Sequence, residues 1–251
     1  MTILNVPPLA QAEAVGTDLL TRLNTPTLAQ ARAKTWVEII NAELAHYPRG
    51  DYKDAYGPNI DSHYATKSMR QSIEDGLPSD VPLLAGNNSG DMPGLITGMI
   101  QQMPWRSTHN RAAQYVYKFS KVPVGWAARG VLSYHGGELV YVFNNPTSLV
   151  SHHLLGLVLD PATGLSLVIG DLNGNGVTGS AGDAADVLAS AAYGADDAAV
   201  AQTAMTMWTN FAKTGNPSTA TFTWPPYTTA NDTFVEINTG LTVRTGLATG
   251  W

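Results

Sequence analysis

The sequence contains no cysteine, few charged residues and no long apolar run. Without cysteine, neither a disulfide nor a thiol nucleophile can form, and cysteine usage gives no indication of the redox compartment. The densest apolar segments, LLGLVLD and LSLVIGD, have the length of strands and are too short to cross a bilayer as helices. Charged residues make up 14% of the chain, and the net charge is −6 with no basic stripe. We therefore expect neither nucleic acid nor a membrane as a partner.

What the chain does contain is enough apolar material for one large core. It has 251 residues, of which 44% are hydrophobic. This length and composition predict one main domain, with or without an inserted segment. The 24 glycines and 15 prolines predict many turns, as in a mixed α/β protein with long loops. The first residues, MTILNVPPLAQAEAVG, lack the charged-then-apolar pattern of a signal peptide.

The first third of the chain is expected to be helical with one long loop. In QAEAVGTDLLTRLN, apolar residues recur at four-residue spacing, which predicts a helix that ends at Asn24. Thr35 and Glu38 have the spacing of a capping box, so a second helix is expected to begin there. Residues 46–67 are expected to form a loop, and SMRQSIEDG a short helix closed by Gly76.

The remainder alternates strands with helices. The apolar run in DVPLLAGNNSGD enters a Gly/Asn/Ser-rich tip, which predicts a buried parallel strand followed by a loop that carries Asp91. QYVYKF, residues 114–119, is a second predicted strand, and residues 149–171 are a predicted hairpin. DDAAVAQTAMTMWTNFAKTGNP predicts a long helix capped by Gly215. TFVEINT and LTVRT predict a small terminal hairpin.

One histidine lies on an unusually bare turn. In SYHGGELVYVFNNP, His135 is followed by two glycines and a glutamate. A histidine that moves a proton needs space around its ring and a nearby acid to fix its tautomer. The order strand, Asp91, strand, His135, helix is also the order of the last third of an α/β-hydrolase.

Several of these segments together resemble the C-terminal half of type B carboxylesterases, the carboxylesterase/cholinesterase family. They are VPLLAGNNSGDM, YVYKF with SYHGGELVYVF, and MWTNFAKTGNPS with WPPY, with a looser fit at GPNIDSHY and AEAVGTDLLTRL. The resemblance implies an α/β fold, namely the C-terminal part of an α/β-hydrolase sheet with flanking helices and a small extra hairpin. It implies a single portion of one domain over residues 1–251, with an insertion at about 146–195.

The resemblance also implies a catalytic histidine and its acid. His135 falls on the family's general acid/base position, and Asp91 falls on the acid position, where glutamate is more common in the family. Taken without the resemblance, Asp91 could be a solvated turn aspartate and His135 an ordinary surface histidine. Glu138 is interpreted either as a residue that orients the histidine loop or as a surface charge.

The nucleophile that the family uses is missing from the sequence. No G-x-S-x-G motif occurs; the nearest segment, TGSAG with Ser180, follows His135 and is not preceded by a strand. Ser133 is expected to be a packing or loop residue. The resemblance therefore implies that an absent N-terminal half of the same hydrolase is the partner and supplies the serine and the oxyanion hole. It implies a small-molecule carboxylic ester as substrate. The cellular location stays unknown, and the resemblance is compatible with a soluble, secreted or periplasmic protein. The alternative is a non-catalytic binding or adhesion module, with or without calcium.

Two further segments depart from the family pattern. Residues 92–113, between the acid and the histidine, are short for the family, which implies a more open gorge that Trp105 and Trp126 could line, unless they anchor the core. DLNGNGVTGSAGD resembles a calcium loop with oxygens at positions one, three and five, but its acid comes one residue late, and a plain turn is the alternative. No cofactor other than calcium is expected. The candidate calcium ligands are Asp171, Asn173, Asn175 and Asp183. His152 and His153 lack a carboxylate at ligand spacing and are expected to lie on a loop.

Overall fold

The structure is a computed structural model that describes residues 6–46, 56–76, 80–91, 93–128, 130–145 and 191–250. The chain divides into two compact units, Met1–Asp75 and Gly76–Trp251. Within the described residues, no helix is long and apolar enough to cross a membrane.

The first unit is helical, as predicted. Its helices are α1 (Leu9–Arg22), α2 (Leu28–Arg32), α3 (Trp36–His46) and α4 (Met69–Glu74). Asn24 follows α1 with a φ of 51°, in the left-handed region that asparagine tolerates, so the predicted helix end is confirmed. Gly76, with a φ of 76°, follows α4 in the same way.

The predicted capping box at the start of α3 is present. The Thr35 N–H donates to Glu38 Oε2 at 2.9 Å, and the Glu38 N–H donates to Thr35 Oγ1 at 3.3 Å. A second capping box, formed by Thr27 and Gln30, begins the short helix α2, which the apolar pattern did not predict because five residues contain too little periodicity.

The helix α3 has an unusual distribution of side chains. It buries Glu43, which is 3% exposed, and exposes Trp36, which is 75% exposed. Glu43 Oε1 accepts from Arg22 Nη2 of α1 at 2.9 Å and from the Tyr56 hydroxyl at 2.7 Å. A buried carboxylate needs such partners, so the ion pair between Glu43 and Arg22 fixes α3 against α1.

The second unit contains a four-stranded sheet. Its strands are β1 (Leu83–Asn88), β2 (Gln114–Phe119), β3 (Thr233–Ile237) and β4 (Leu241–Thr245), in that order across the sheet. The pairs β1–β2 and β2–β3 are parallel, and β3–β4 is antiparallel. The predicted strands and the terminal hairpin are confirmed. The hairpin is not separate from the main sheet, however, because Val235 of β3 pairs with Tyr117 of β2.

Helices cover the two faces of this sheet. They are α5 (Pro93–His109), α6 (Val124–Ala127), α7 (Leu139–Val142) and α8 (Ala195–Thr214). Successive strand residues point to opposite faces, so neighbours in β2 enter different cores. On one face the core comprises Tyr115, Phe119, Val140, Tyr141, Val200, Ala201, Ala204, Met207, Trp224, Val235 and Ile237. On the other it comprises Val116, Met99, Met103, Tyr227, Phe234 and Leu247.

The long helix α8 ends as its sequence predicts. Gly215 has a φ of 72°, and its N–H donates to the Phe211 carbonyl at 2.8 Å. The predicted hairpin at residues 149–171 lies outside the described residues. Because β1 and β2 are parallel, their carboxyl ends lie at the same edge of the sheet, and the loops that follow them meet there.

Candidate functional site

The loop after β1 holds a buried carboxylate. The Asp91 side chain is 4% exposed, so Asp91 is not a solvated turn residue. Its Oδ2 accepts from the Asn88 backbone N–H at 2.7 Å and from Asn87 Nδ2 at 3.1 Å. These two donors satisfy one carboxylate oxygen within the loop itself and leave Oδ1 for another partner.

The loop after β2 carries the partner of Asp91 Oδ1. His135 Nδ1 lies 2.7 Å from Asp91 Oδ1, although the two residues are 44 positions apart in the sequence. The imidazole side chain is 54% exposed, whereas the carboxylate beneath it is nearly covered. A carboxylate that engages Nδ1 fixes the tautomer of the ring and leaves Nε2 as the nitrogen that can exchange a proton.

Two hydrogen bonds hold the loops together at Ser133, two residues before His135. The Gly90 N–H donates to the Ser133 carbonyl at 2.6 Å, and the Ser133 N–H donates to Ser89 Oγ at 3.2 Å. A Cβ at Gly90 would lie 2.8 Å from Leu132 Cβ and 2.9 Å from the Ser133 carbonyl oxygen. Glycine is therefore required at this close approach. Ser133 itself is 1% exposed, in keeping with the packing role expected for it.

Glu138 lies inside the histidine turn and not on the surface as a free charge. Its Oε2 accepts a short hydrogen bond from Asn88 Nδ2, and the same amide donates to the Tyr134 carbonyl at 2.5 Å. Burial raises the pKa of the Glu138 carboxyl, and the bond from Asn88 opposes this shift without cancelling it. Of the two interpretations of Glu138, the contact with the histidine loop is the one that the structure favours.

Sequence reasoning missed Asn88, because asparagine in AGNNSGD is also what a tight turn prefers. The structure places it at the end of β1, 1% exposed, between Asp91 and the histidine turn. No local pattern could have shown this, since its side-chain partners are 46 and 50 positions away.

The two tryptophans considered for a pocket occupy different places. Trp126 is fully buried, and its ring lies 5.8 Å from that of Tyr134, so it anchors the core beneath the histidine loop. Trp105 lies on α5 and is half-buried. The pocket-lining interpretation therefore fails for Trp126.

The remaining candidates lie outside the described residues: Asp171, Asn173, Asn175, Asp183, His152, His153 and Ser180. In the part of the chain that the structure does describe, no group of three or more His, Cys, Asp or Glu side chains could hold a metal ion. The calcium site thus stays a prediction.

The fold and the C-terminal part of the sequence can be compared with known proteins. Residues 185–250 match the model of the carboxylesterase family. We refer to this matching stretch as the carboxylesterase-family segment. No curated protein matches the chain significantly.

Solved esterase structures share the fold of the chain at low identity. The TM-score is 0.65 for a thermophilic pNB esterase, 0.62 for a further pNB esterase and 0.59 for the Geobacillus stearothermophilus carboxylesterase EST55, each at 17% identity. The matches cover 96%, 96% and 95% of this chain and 53%, 53% and 52% of the solved chains. The chain therefore spans about half the length of these esterases.

Two predictions are confirmed by these comparisons. The chain has part of the α/β-hydrolase fold, with a mixed four-stranded sheet and flanking helices. It also resembles the C-terminal part of a type B carboxylesterase, as the sequence motifs indicated.

Proposed function

We propose that this chain supplies the histidine and the acid of a Ser-His-Asp triad that hydrolyses small-molecule carboxylic esters. The observation that carries the proposal is the 2.7 Å contact between His135 Nδ1 and Asp91 Oδ1 at the carboxyl ends of two parallel strands. The carboxylesterase-family segment and the esterase folds that the chain resembles support an ester as the substrate class.

Each residue of the pair has one task in this mechanism. His135 Nε2 takes the proton of a serine hydroxyl as its oxygen attacks the ester carbonyl carbon, and returns that proton to the departing alkoxide. Water then attacks the acyl-serine by the same route and regenerates the hydroxyl. Asp91 holds Nδ1–H throughout and stabilises the imidazolium without taking the proton.

The serine is proposed to come from residues beyond these 251. The sequence contains no G-x-S-x-G motif, and the chain spans about half the length of the esterases that it resembles. We propose that an N-terminal half of the same hydrolase supplies this serine and the oxyanion hole. Residues 1–251 would then be the C-terminal portion of one domain.

The test is covalent labelling of the native particle with a fluorophosphonate, which reacts with activated serines. Native mass beside the denatured masses of the chains is measured on the same sample. We expect a second polypeptide, or a longer form of this chain, to carry the label on a G-x-S-x-G serine. His135→Ala should abolish both labelling and ester turnover, because members of a triad act as a unit. His63→Ala, an exposed histidine of the first unit, is the matched control and should change neither.

Two results would overturn this function. Labelling that survives His135→Ala would show that the histidine does not activate the serine. A native particle of this chain alone, with no label and no turnover, would leave a binding module as the function.

Calcium is tested separately. A Tm that rises under saturating calcium, and that no longer rises in Asp171→Ala, would support the calcium loop over a plain turn. The same Tm with and without calcium would reject the calcium loop.

A further inference from the structure

Asn88 is the last residue of β1, and its two amide groups point to different parts of the candidate site. Its backbone N–H donates to Asp91 Oδ2 at 2.7 Å, which fixes the acid loop. Its side-chain Nδ2 donates to the Tyr134 carbonyl at 2.5 Å and to Glu138 Oε2 through a short bond. Asn88 therefore contacts both the acid loop and the histidine loop.

The two groups that accept hydrogen bonds from Asn88 Nδ2 lie on either side of His135 in the sequence. Tyr134 directly precedes the histidine, and Glu138 lies three residues beyond it, at the start of α7. Ser89 and Gly90 form hydrogen bonds with Ser133, on the N-terminal side of the turn. The bond to Tyr134 lies on the N-terminal side of His135 and the bond to Glu138 on its C-terminal side. Asn88 therefore holds the turn at both ends.

This turn needs to be held, because its own backbone is permissive. Gly136 has a φ of 81°, and Gly137 follows it directly. Two consecutive glycines allow many backbone conformations, and a small rotation would move the imidazole away from Asp91. A displacement of about 1 Å in a catalytic group can reduce turnover about 100-fold.

We infer that Asn88 is a positioning residue that clamps both ends of the His135 turn and thereby sets the imidazole against Asp91. The inference rests on the triad role proposed above. None of the hydrogen bonds of Asn88 goes to the ring of His135, so Asn88 acts through Tyr134 and Glu138. Its Nδ2 is the part of the side chain that does this, since the carbonyl Oδ1 has no hydrogen-bond partner.

The readout is the Nδ1–H proton of His135, observed by NMR on the full chain with 15N-labelled histidine. This proton reports the bond to Asp91 directly and does not require turnover. The wild type should show a downfield, slowly exchanging resonance, which His135→Ala removes. Its absence from the wild type would reject the triad pair itself, and the clamp with it.

Asn88→Leu keeps the approximate shape of the side chain and removes both Nδ2 donors. We expect the His135 Nδ1–H resonance to be lost or to exchange at least about tenfold faster in a chain that remains folded. The control is Gln114→Leu, which removes another buried amide, 3% exposed, at the opposite end of β2. It should leave the resonance unchanged, even if it lowers the Tm. A normal resonance in Asn88→Leu would overturn the clamp while leaving the triad intact.

A second pair of variants tests the clamp without changing β1, in case Asn88→Leu does not fold. Glu138→Ala removes the acceptor on the far side of the turn, whereas Glu138→Gln retains an oxygen that can accept from Asn88 Nδ2. We expect faster exchange of the His135 proton in Glu138→Ala and rescue in Glu138→Gln. Equal exchange rates in these two variants would contradict the inference.

Discussion

Gly90 is a single residue on which the contact between the two site loops depends. Its N–H donates to the Ser133 carbonyl at 2.6 Å, and a Cβ would lie 2.8 Å from Leu132 Cβ. These neighbours are a backbone group and the first atom of a side chain, so neither can move away alone. The distance between Asp91 and His135 is therefore set partly by the absence of a side chain at residue 90.

Gly90→Ala is predicted to destabilise the chain by about 1–3 kcal/mol, because an inserted methyl group forces backbone displacement. Urea unfolding measures the effect. The matched control is Gly94→Ala in α5, where a Cβ would meet nothing within 4 Å. Alanine in a helix is favoured over glycine by about 0.5–1 kcal/mol, so this control should be neutral or stabilising. Equal stability of the two variants would show that the contact at Gly90 is unimportant.

The ionisation of Glu138 makes the stability of the folded chain depend on pH. Burial raises its pKa above the ordinary value of 4.5; Asp91 adds to this shift, and Asn88 and His135 oppose it. Because the folded state prefers the protonated carboxyl, the contribution of Glu138 to stability is complete below pH 4.5. It is lost as pH rises through the pKa of the folded state.

Glu138→Gln is therefore predicted to raise the Tm relative to wild type above that pKa. The difference should shrink as pH falls below 4.5, because the wild-type residue is then neutral in both states. Thermal unfolding across the pH range measures this, with the exposed Glu13→Gln as control. A Tm difference between Glu138→Gln and wild type that grows toward low pH would contradict the assignment.

Among the secondary-structure elements, those that carry their own local signals could be predicted from the sequence. The helix α3 begins at a capping box, β2 has the bounds of QYVYKF, and α8 ends at a left-handed glycine. Each signal involves residues within a few positions of one another, so no distant contact was needed to recognise it. The placement of β3 beside β2 could not be predicted, since it pairs residues about 118 positions apart, such as Tyr117 and Val235.

The capping box of α3 also supplies a prediction about pH. The Thr35 N–H, followed by Lys34, lowers the pKa of Glu38 to about 2. A lowered pKa means that the stabilisation is present above pH 4.5 and is lost as pH falls toward 2. Glu38→Gln keeps an acceptor and removes the charge. It should speed hydrogen exchange of the Thr35 amide, which donates to this side chain, at pH 7, by a factor that shrinks toward low pH. The same factor at both ends of the range would disprove the charge effect.

For the second compact unit as a whole, one buried ion pair joins several elements. Lys121 Nζ, in the loop after β2, lies 3.0 Å from Asp197 Oδ1 in the first turn of α8, and both side chains are buried. The Tyr141 hydroxyl of α7 donates to the same oxygen at 2.8 Å, and the Gly194 N–H donates to Oδ2 at 3.0 Å. The helix that follows the histidine turn is therefore tied to the carboxylesterase-family segment.

Lys121→Met leaves this carboxylate buried without its cation and is predicted to cost about 3–5 kcal/mol. Urea unfolding measures the loss. The control is Arg244→Met, which removes the cation of a partly exposed pair with Glu236 on the same sheet. Such pairs contribute about 0–1 kcal/mol, so a much smaller loss is expected. Similar losses in the two variants would show that burial of the Lys121 pair has no special effect.

Local patterns in the sequence were enough to place the strands and the long helix α8 of the second unit, and the resemblance to type B carboxylesterases marked Asp91 and His135 as a candidate pair. Turn residues, apolar periodicity and caps act over a few positions, and the sequence records them directly. The burial of Asp91, the contact of Glu138 with Asn88 and the entry of the terminal hairpin into the sheet became visible only in the tertiary structure. Each depends on residues more than 40 positions apart, and packing brings such residues together without leaving a local signal in either segment.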